Sequence, residues 1–221
     1  MKNKKAFIFD LDGVVVDTAK FHFVAWQRLA ADIGINFTEK ENEQLKGVSR
    51  VDSLKKILEW GNKSLPQEEF DQKLIEKNNQ YLSLIEGLSV NDILPGVHSF
   101  LLDLKAKSQP IALGSASKNA RPILKKLGII DLFDVIVDGT NVTKAKPNPE
   151  VFLSACSQLG YKAADSIVFE DSQAGVQAAN TAGMISIGLG DQTNLNEADA
   201  VFQSFEEMPS DYIKTLLNTQ K

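Results

Sequence analysis

The chain has 221 residues, enough for one large domain or for a core with a small appended one. Its hydrophobic fraction of 43% and charged fraction of 24% are those of an ordinary soluble globular protein. A formal net charge of −5 leaves no broad basic surface, which argues against general nucleic-acid binding, so an anionic ligand has to be met by a local cluster of cations. KAFIF (5–9) reads as a short buried strand, continuous in its apolar character rather than alternating. FHFVAWQRLAADIG (21–34) is an amphipathic helix closed by Gly34, and residues 38–46, 50–60 and 66–85 read as further helices rich in Glu, Lys, Gln and Leu. GLSVNDILPG (87–96) supplies the glycines and proline of a connection.

From there strand and helix alternate. Residues 97–107 are helical, 110–117 a strand with a polar exit, 120–129 a helix, and 133–139 a strand. Residues 148–160 form a helix, 166–172 a strand, 174–183 a helix, and 184–189 a strand. Repeated βαβ units imply a doubly wound parallel sheet with helices on both faces, an α/β Rossmann-like fold. The helices after the first strand interrupt that pattern. The expected division is therefore an α/β core from residues 1–16 and 90–221, with a helical insert, 17–89, hung on two linkers and able to act as a lid. The single cysteine, Cys156, excludes an internal disulfide and reads as a small buried hydrophobe. The basic start MKNKK runs into an apolar stretch cut by Asp10 and Asp12, which no signal-peptide core tolerates, and no stretch is long enough to span a membrane. A cytoplasmic location is expected. No long apolar stripe asks for a partner, so a monomer is expected as well.

Open parallel sheets bind ligands outside the carboxyl ends of their strands. Asp10 and Asp12 stand at the end of the first strand, Ser115 and Ser117 after the second marked one, and Glu170 and Asp171 after the strand at 166. Lys146 precedes the helix that starts near Pro147. A parallel sheet brings all four points to one edge. Each acid alone is well explained by turn or cap chemistry. Together, four acids repel unless a cation sits among them, and a hard divalent ion such as Mg²⁺ suits oxygen ligands with water and phosphate. With a lysine and a hydroxyl beside it, the edge describes a phosphoryl site, with Asp10 the candidate nucleophile and Asp12 the candidate general acid and base.

DLDG (10–13), GSAS (114–117), Lys146-Pro147 and Glu170-Asp171, in that order and strand context, resemble the four-motif signature of the haloacid-dehalogenase-like phosphotransferases over essentially the whole chain. The insert resembles the family's helical cap type. The stretches FHFVAW (21–26), EQLKGVSRVDSL (43–54), EKNNQY (76–81), GSASKN (114–119) and FEDSQAG (169–175) are similar to the bacterial sugar-phosphate mutases within it. One departure is Val14–Val16, an apolar run where many relatives carry Thr-Leu.

The resemblance implies a cycle in which phosphorylated Asp10 gives its phosphoryl group to a hydroxyl of β-glucose 1-phosphate. β-Glucose 1,6-bisphosphate forms, turns over in the site, and returns the other phosphoryl group to Asp10, leaving glucose 6-phosphate. It places Mg²⁺ on Asp10, the Asp12 carbonyl, Glu170 and Asp171, with Lys146 balancing the charge of the phosphoryl group and Ser115 orienting it. Gly47, Val48, Ser49 and Arg50 become a distal phosphate cradle, for which Ser49 as an N-cap and the Arg50 guanidinium are suited. Without the resemblance, an ordinary capped surface helix explains them. Ser53 is expected near the sugar, and Ser115, Ala116, Ser117, Lys118 and Asn119 along the substrate. His22 and Trp26 share one helix face. The resemblance puts His22 beside Asp12 and the substrate, while the bland reading makes Trp26 core and His22 a surface or domain-interface residue. Lys77 lies in a polar helical stretch where lysines are usually solvated, and only the resemblance makes it a sugar or phosphate contact. Asp17 and Thr18 read as hinge. A sugar-phosphate phosphatase on the same scaffold uses the same Asp10 chemistry with water as acceptor; the cradle and His22 favour the mutase. A non-catalytic sugar-phosphate binder would not need the nucleophile.

Overall fold

The computed structural model describes residues 4–219 and 221; Met1–Asn3, part of the basic start, and Gln220 lie outside the described residues. Six strands form one sheet: β1 (Ala6–Phe9), β2 (Ile111–Gly114), β3 (Val135–Val137), β4 (Ser166–Glu170), β5 (Ile185–Leu189) and β6 (Ala200–Phe202). Their spatial order is β3-β2-β1-β4-β5-β6, and every neighbouring pair is parallel. The first strand of the sequence is thus central, with Ile8 opposite Ala112 on one side and Val168 on the other.

Strand side chains alternate between faces, and the core follows that period. Phe7, Phe9, Ile111, Leu113, Ile167 and Phe169 point into one apolar layer with α5 (Val97–Ala106) and α6 (Ala120–Lys126). Phe9 and Phe169 stack there with ring centroids 4.7 Å apart. Ile8, Ala112 and Val168 point into the opposite layer, against α7 (Glu150–Gln158) and α8 (Gln173–Thr181), where Cys156 is buried beside Phe152 and Val151. Burying one such aliphatic or phenyl side chain is worth about 1.5–3 kcal/mol, so the run of wholly buried residues across β1, β2 and β4 carries much of the sheet's stability.

Between β1 and β2 lie α1 (Ala19–Asp32), α2 (Glu39–Glu43), α3 (Arg50–Trp60) and α4 (Gln67–Leu84). Trp26, Leu29, Phe37, Leu54 and Ile57 gather a separate apolar cluster among them. Ala25, Tyr81 and Ile85 instead join the large cluster under the sheet, which ties α1 and α4 to the α/β part. Thr38 and Glu41 cap α2 reciprocally, and Ser49 caps α3, its Oγ accepting from the Asp52 N–H at 3.1 Å.

The helix expected over 38–46 stops at Glu43. Residues 44–47 turn instead, ending at Gly47 with φ +72°, a conformation suited to glycine. That turn aims Lys46 and Gly47 at the strand ends. Two elements were not anticipated: β6, three half-buried residues at the sheet edge, and a C-terminal α9 (Tyr212–Asn218). No helix among the described residues is long and apolar enough to cross a membrane.

Candidate active site

The strand ends converge as the parallel sheet requires. Asp10 extends the ladder one residue past β1, its N–H bonded to Phe169 C=O at 3.0 Å. The chain then reverses. The N–H groups of Val15 and Val16 return to Leu11 C=O, and the Gly13 N–H, with φ +81°, reaches Val16 C=O. Val14, Val15 and Val16 are fully buried, so the apolar run that departs from the family pattern is the anchor of this turn. A Cβ on Gly13 would stand 2.1 Å from Asp171 Oδ2, which shows how closely the β1 turn approaches the end of β4.

Lys146 is the hub. Its Nζ donates to Asp10 Oδ1 and to Glu170 Oε1, both at 2.5 Å, and sits 4.6 Å from the Phe152 ring centroid. Glu170 is wholly buried. Its second oxygen accepts from Ser172 N–H at 2.7 Å and Ser172 Oγ at 2.9 Å. Burial would lower the Lys146 pKa, but Asp10 and Glu170 outweigh it and raise it, so its charge is secure. Burial pushes Asp10 up to about 7, helped by Glu170 and Asp12 and opposed by Lys146. Burial and Glu170 raise Asp171 well above the usual carboxylate range, against the pull of Lys46, whose Nζ is 3.5 Å away. Burial also raises Asp12, against the hydrogen bond donated by Thr18 Oγ1 to its Oδ1.

Among the described residues no three acids, histidines or cysteines form a ready metal-binding group; two lysine ammoniums balance the acids instead. The four carboxylates exceed those two cations by two formal charges, while burial is the main cause of the raised pKa values of Asp10, Asp12 and Asp171. Hard oxygen donors with a deficit of two positive charges fit a divalent ion such as Mg²⁺.

Facing this edge, the inserted helices close a cavity of about 500 Å³. Asp10, Asp12 and Asp171 line it, together with Ser115, Ala116, Ser117, Lys118 and Asn119 and with Gly47, Val48, Ser49, Arg50 and Ser53. His22, Trp26 and Lys77 line it as well; Lys146 and Glu170 lie behind it. Ser115 Oγ accepts from Ser117 N–H at 3.1 Å, which leaves its own proton for a ligand.

Lys77, read from sequence as a solvated position, is buried. Its ammonium donates to His22 Nδ1 at 2.8 Å and lies over the rings of Trp26 and Tyr81. Burial, with Arg50 adding to it, lowers the Lys77 pKa to about 7. Burial and the two cations likewise hold the His22 pKa well below the usual imidazole value, which favours the neutral ring. Trp26 is indeed core, as the bland reading had it, but one edge of it meets the cavity. No carboxylate lies within ion-pair distance of Arg50 or Lys77 among the described residues. The local cation cluster that the acidic chain needed is here.

Sequence reasoning missed Lys46 and took Thr18 for hinge alone. Lys46 directly precedes GVSR, and only the early end of α2 turns it inward. Thr18 is fully buried against Asp12, a contact across six residues that no periodicity marks.

The model of the haloacid dehalogenase-like hydrolase family matches residues 4–183, most of the chain. The chain belongs to that family. Among the family's curated members, a Bacillus subtilis (strain 168) protein named β-phosphoglucomutase is 42% identical over 206 residues, covering 92% of this chain and 91% of its own. A Thermotoga maritima protein named phosphorylated carbohydrates phosphatase is 33% identical over 202 residues, covering 90% and 91%. The crystal structure of a Clostridium difficile β-phosphoglucomutase superposes with a TM-score of 0.93 at 46% identity, covering 97% of each chain. The haloacid dehalogenase-like fold and its phosphoryl-transfer chemistry therefore frame the site, and both mutases and phosphatases of that family are similar to it.

Proposed function

We propose that the chain is an isomerase that interconverts β-D-glucose 1-phosphate and glucose 6-phosphate through an aspartyl-phosphate on Asp10 and a β-glucose 1,6-bisphosphate intermediate. One observation carries this reading. A single cavity is lined both by a phosphoryl-transfer edge and by a second, cation-bearing cradle built from the start of α3 and Arg50, which has no ion-pair partner among the described residues. A mutase must grip two phosphates at once, whereas a hydrolase of small monophosphates needs only the first site. The similarity to named β-phosphoglucomutases at 42% and 46% identity supports the same reading.

With Oδ1 of Asp10 held by Lys146, Oδ2 is the oxygen that bonds to phosphorus. When the phosphoryl group leaves Asp10 for the sugar O6, the Asp–O–P bond breaks, the new P–O6 bond forms, and the O6 proton passes to Asp12. The bisphosphate then turns over. Asp10 takes the phosphoryl group from O1, Asp12 returns its proton to O1, and glucose 6-phosphate departs. A raised pKa suits Asp12 to both halves of that exchange. Ser115 Oγ–H and Lys146 fix the reacting group, and Ser49, Arg50 and Lys118 hold the distal phosphate. Asp10, the Asp12 carbonyl, Glu170 and Asp171 would hold Mg²⁺, which when bound supplies charge neutralisation for the phosphoryl oxygens. The free buried Cys156 is in keeping with a reducing cytoplasm.

The test is one assay with Mg²⁺, β-glucose 1-phosphate and a trace of the bisphosphate, following glucose 6-phosphate and free phosphate together. Glucose 6-phosphate with little free phosphate upholds the mutase. Free phosphate alone makes the chain a phosphatase like the Thermotoga relative, and the reading of the Gly47–Arg50 cradle falls. Arg50→Ala should raise the KM for β-glucose 1-phosphate by roughly 10–100-fold, as loss of a charge-assisted phosphate contact does, while Asp10 still becomes phosphorylated; an unchanged KM would place the cradle elsewhere.

Metal linkage gives a further expectation. The folded-state pKa of Asp10 is raised, so the proton-bound form is favoured below about 7 and its charged form costs stability as pH rises through that value. A divalent ion must displace those protons. Added Mg²⁺ should therefore raise Tm more at pH 8 than at pH 5, and an equal or reversed effect would remove these acids as the ligands.

A further inference from the structure

Besides the Thr18–Asp12 hydrogen bond and apolar packing, polar side chains among the described residues join the inserted helices and their linker to the α/β part at three further places. Lys46 meets Asp171 at 3.5 Å, within the reacting edge itself. Lys126 Nζ donates to Glu86 C=O at 2.9 Å on the exposed surface. The third is of another kind: Asn119 Nδ2, at the start of α6, donates to Asn78 Oδ1, on α4, at 3.0 Å in a half-buried setting. Asn119 lines the cavity and Asn78 does not. The main chain of Asn119 is already fixed, its N–H bonded to Ser117 Oγ at 3.2 Å and its C=O accepting from Ile123 N–H. Asn78 follows Lys77, the buried cation that carries His22, so one turn of α4 both shapes the cavity and grips its opposite wall.

We propose that Asn78 is a positioning residue, whose side-chain amide clamps Asn119 and holds α4 over the cavity so that the phosphoryl group on Asp10 meets a sugar hydroxyl rather than water. This rests on the mutase reading above. With either acceptor the Asp10–O–P bond breaks, a P–O bond forms to the acceptor oxygen, and the acceptor proton passes to Asp12. Water yields inorganic phosphate, and the sugar yields a sugar phosphate. The two outcomes differ only in which acceptor reaches phosphorus, and a closed lid is what excludes water.

The experiment compares wild type, Asn78→Ala and Asn78→Asp, the last keeping an oxygen to accept from Asn119. Two quantities are read: the ratio of free phosphate to glucose 6-phosphate, and amide hydrogen exchange over Ser117–Ala120 and α4. Expected for Asn78→Ala is a ratio raised about tenfold and faster exchange in both segments, with Tm within about 4 °C of wild type because one half-exposed hydrogen bond is lost. Asn78→Asp should stay within about twofold of wild type in the ratio. An unchanged ratio in Asn78→Ala overturns the proposal, as does an equal rise in both variants, which would mark general loosening. Should Asn78→Ala fail to fold, Asn78→Ser, too short to reach Asn119, carries the same readings. If wild type itself makes phosphate and no glucose 6-phosphate, the mutase reading falls and exchange alone decides the clamp: faster in Asn78→Ala and not in Asn78→Asp upholds it, and no change overturns it.

Discussion

Asp10→Asn should abolish formation of both glucose 6-phosphate and free phosphate while leaving the protein folded. The side chain is the same size, and its amide oxygen can still accept from Lys146, which keeps its second bond to Glu170. The substitution also removes an acid that burial has pushed up to about 7, so at pH 8 no stability is lost on that account. An amide oxygen cannot form the acyl phosphate that the cycle needs, and losing a nucleophile costs on the order of 10⁶ in turnover where it has been measured. Both products have to vanish together, because transfer and hydrolysis pass through the same bond to Asp10. Quantifying both products, with radiolabelled phosphate retained on the protein as a third reading, checks this. Residual hydrolysis at a useful rate would mean that another group attacks phosphorus.

Asp12→Ala should separate two steps that Asp10→Asn removes together. A sugar hydroxyl has to lose its proton to attack and a sugar oxygen has to gain one to leave, and general acid–base catalysis of this kind contributes roughly 10²–10⁴-fold. Turnover of β-glucose 1-phosphate should fall by about that factor or more. An acyl phosphate donor has a leaving group that needs no proton, so Asp10 should still become phosphorylated from it. The variant would then hold its phosphoryl group without passing it to sugar. Asp12→Asn, which keeps an oxygen for Thr18, should fail equally, separating proton transfer from the hydrogen bond that orients the side chain. Normal sugar turnover in either variant would end the acid–base role.

Much of this could be read without coordinates because the informative residues sit where local rules are strong. Short continuous apolar runs rich in aromatic and β-branched residues, such as Phe7–Phe9 and Ile167–Phe169, read as strands covered on both faces, and a parallel sheet then brings their polar exits to one edge. The Ser49 cap and the span of α3 follow from side-chain chemistry within four residues. What stayed hidden depends on distance along the chain. Lys77 looked solvated because its neighbours Glu76 and Asn79 are polar; its burial comes from Trp26 and His22, on another helix. Lys46 depended on where α2 stops, and helix ends are decided by a residue or two. Asn78 carries no sequence signal at all, since a polar residue on a polar helix becomes a clamp only when Asn119 lies opposite. β6 has three half-buried residues and takes its place from pairing with Ile187–Leu189 rather than from its own pattern.

The position of β1 in the middle of the sheet sets a timetable for the chain as it leaves the ribosome. Phe7, Ile8 and Phe9 emerge well before their partners, residues 111–113 on one side and 167–169 on the other. The nascent chain therefore carries an unpaired apolar strand until residues 111–113 and then 167–169 have been made, the circumstance in which such segments attract chaperones or one another. The intervening α1–α4 soften this, since their cluster around Leu29, Leu54 and Ile57 draws on nearby sequence and can gather early. Glu170 and Asp171 arrive with β4, the second neighbour of β1, so the growing chain gains its full acidic edge only when β1 has a strand on each side.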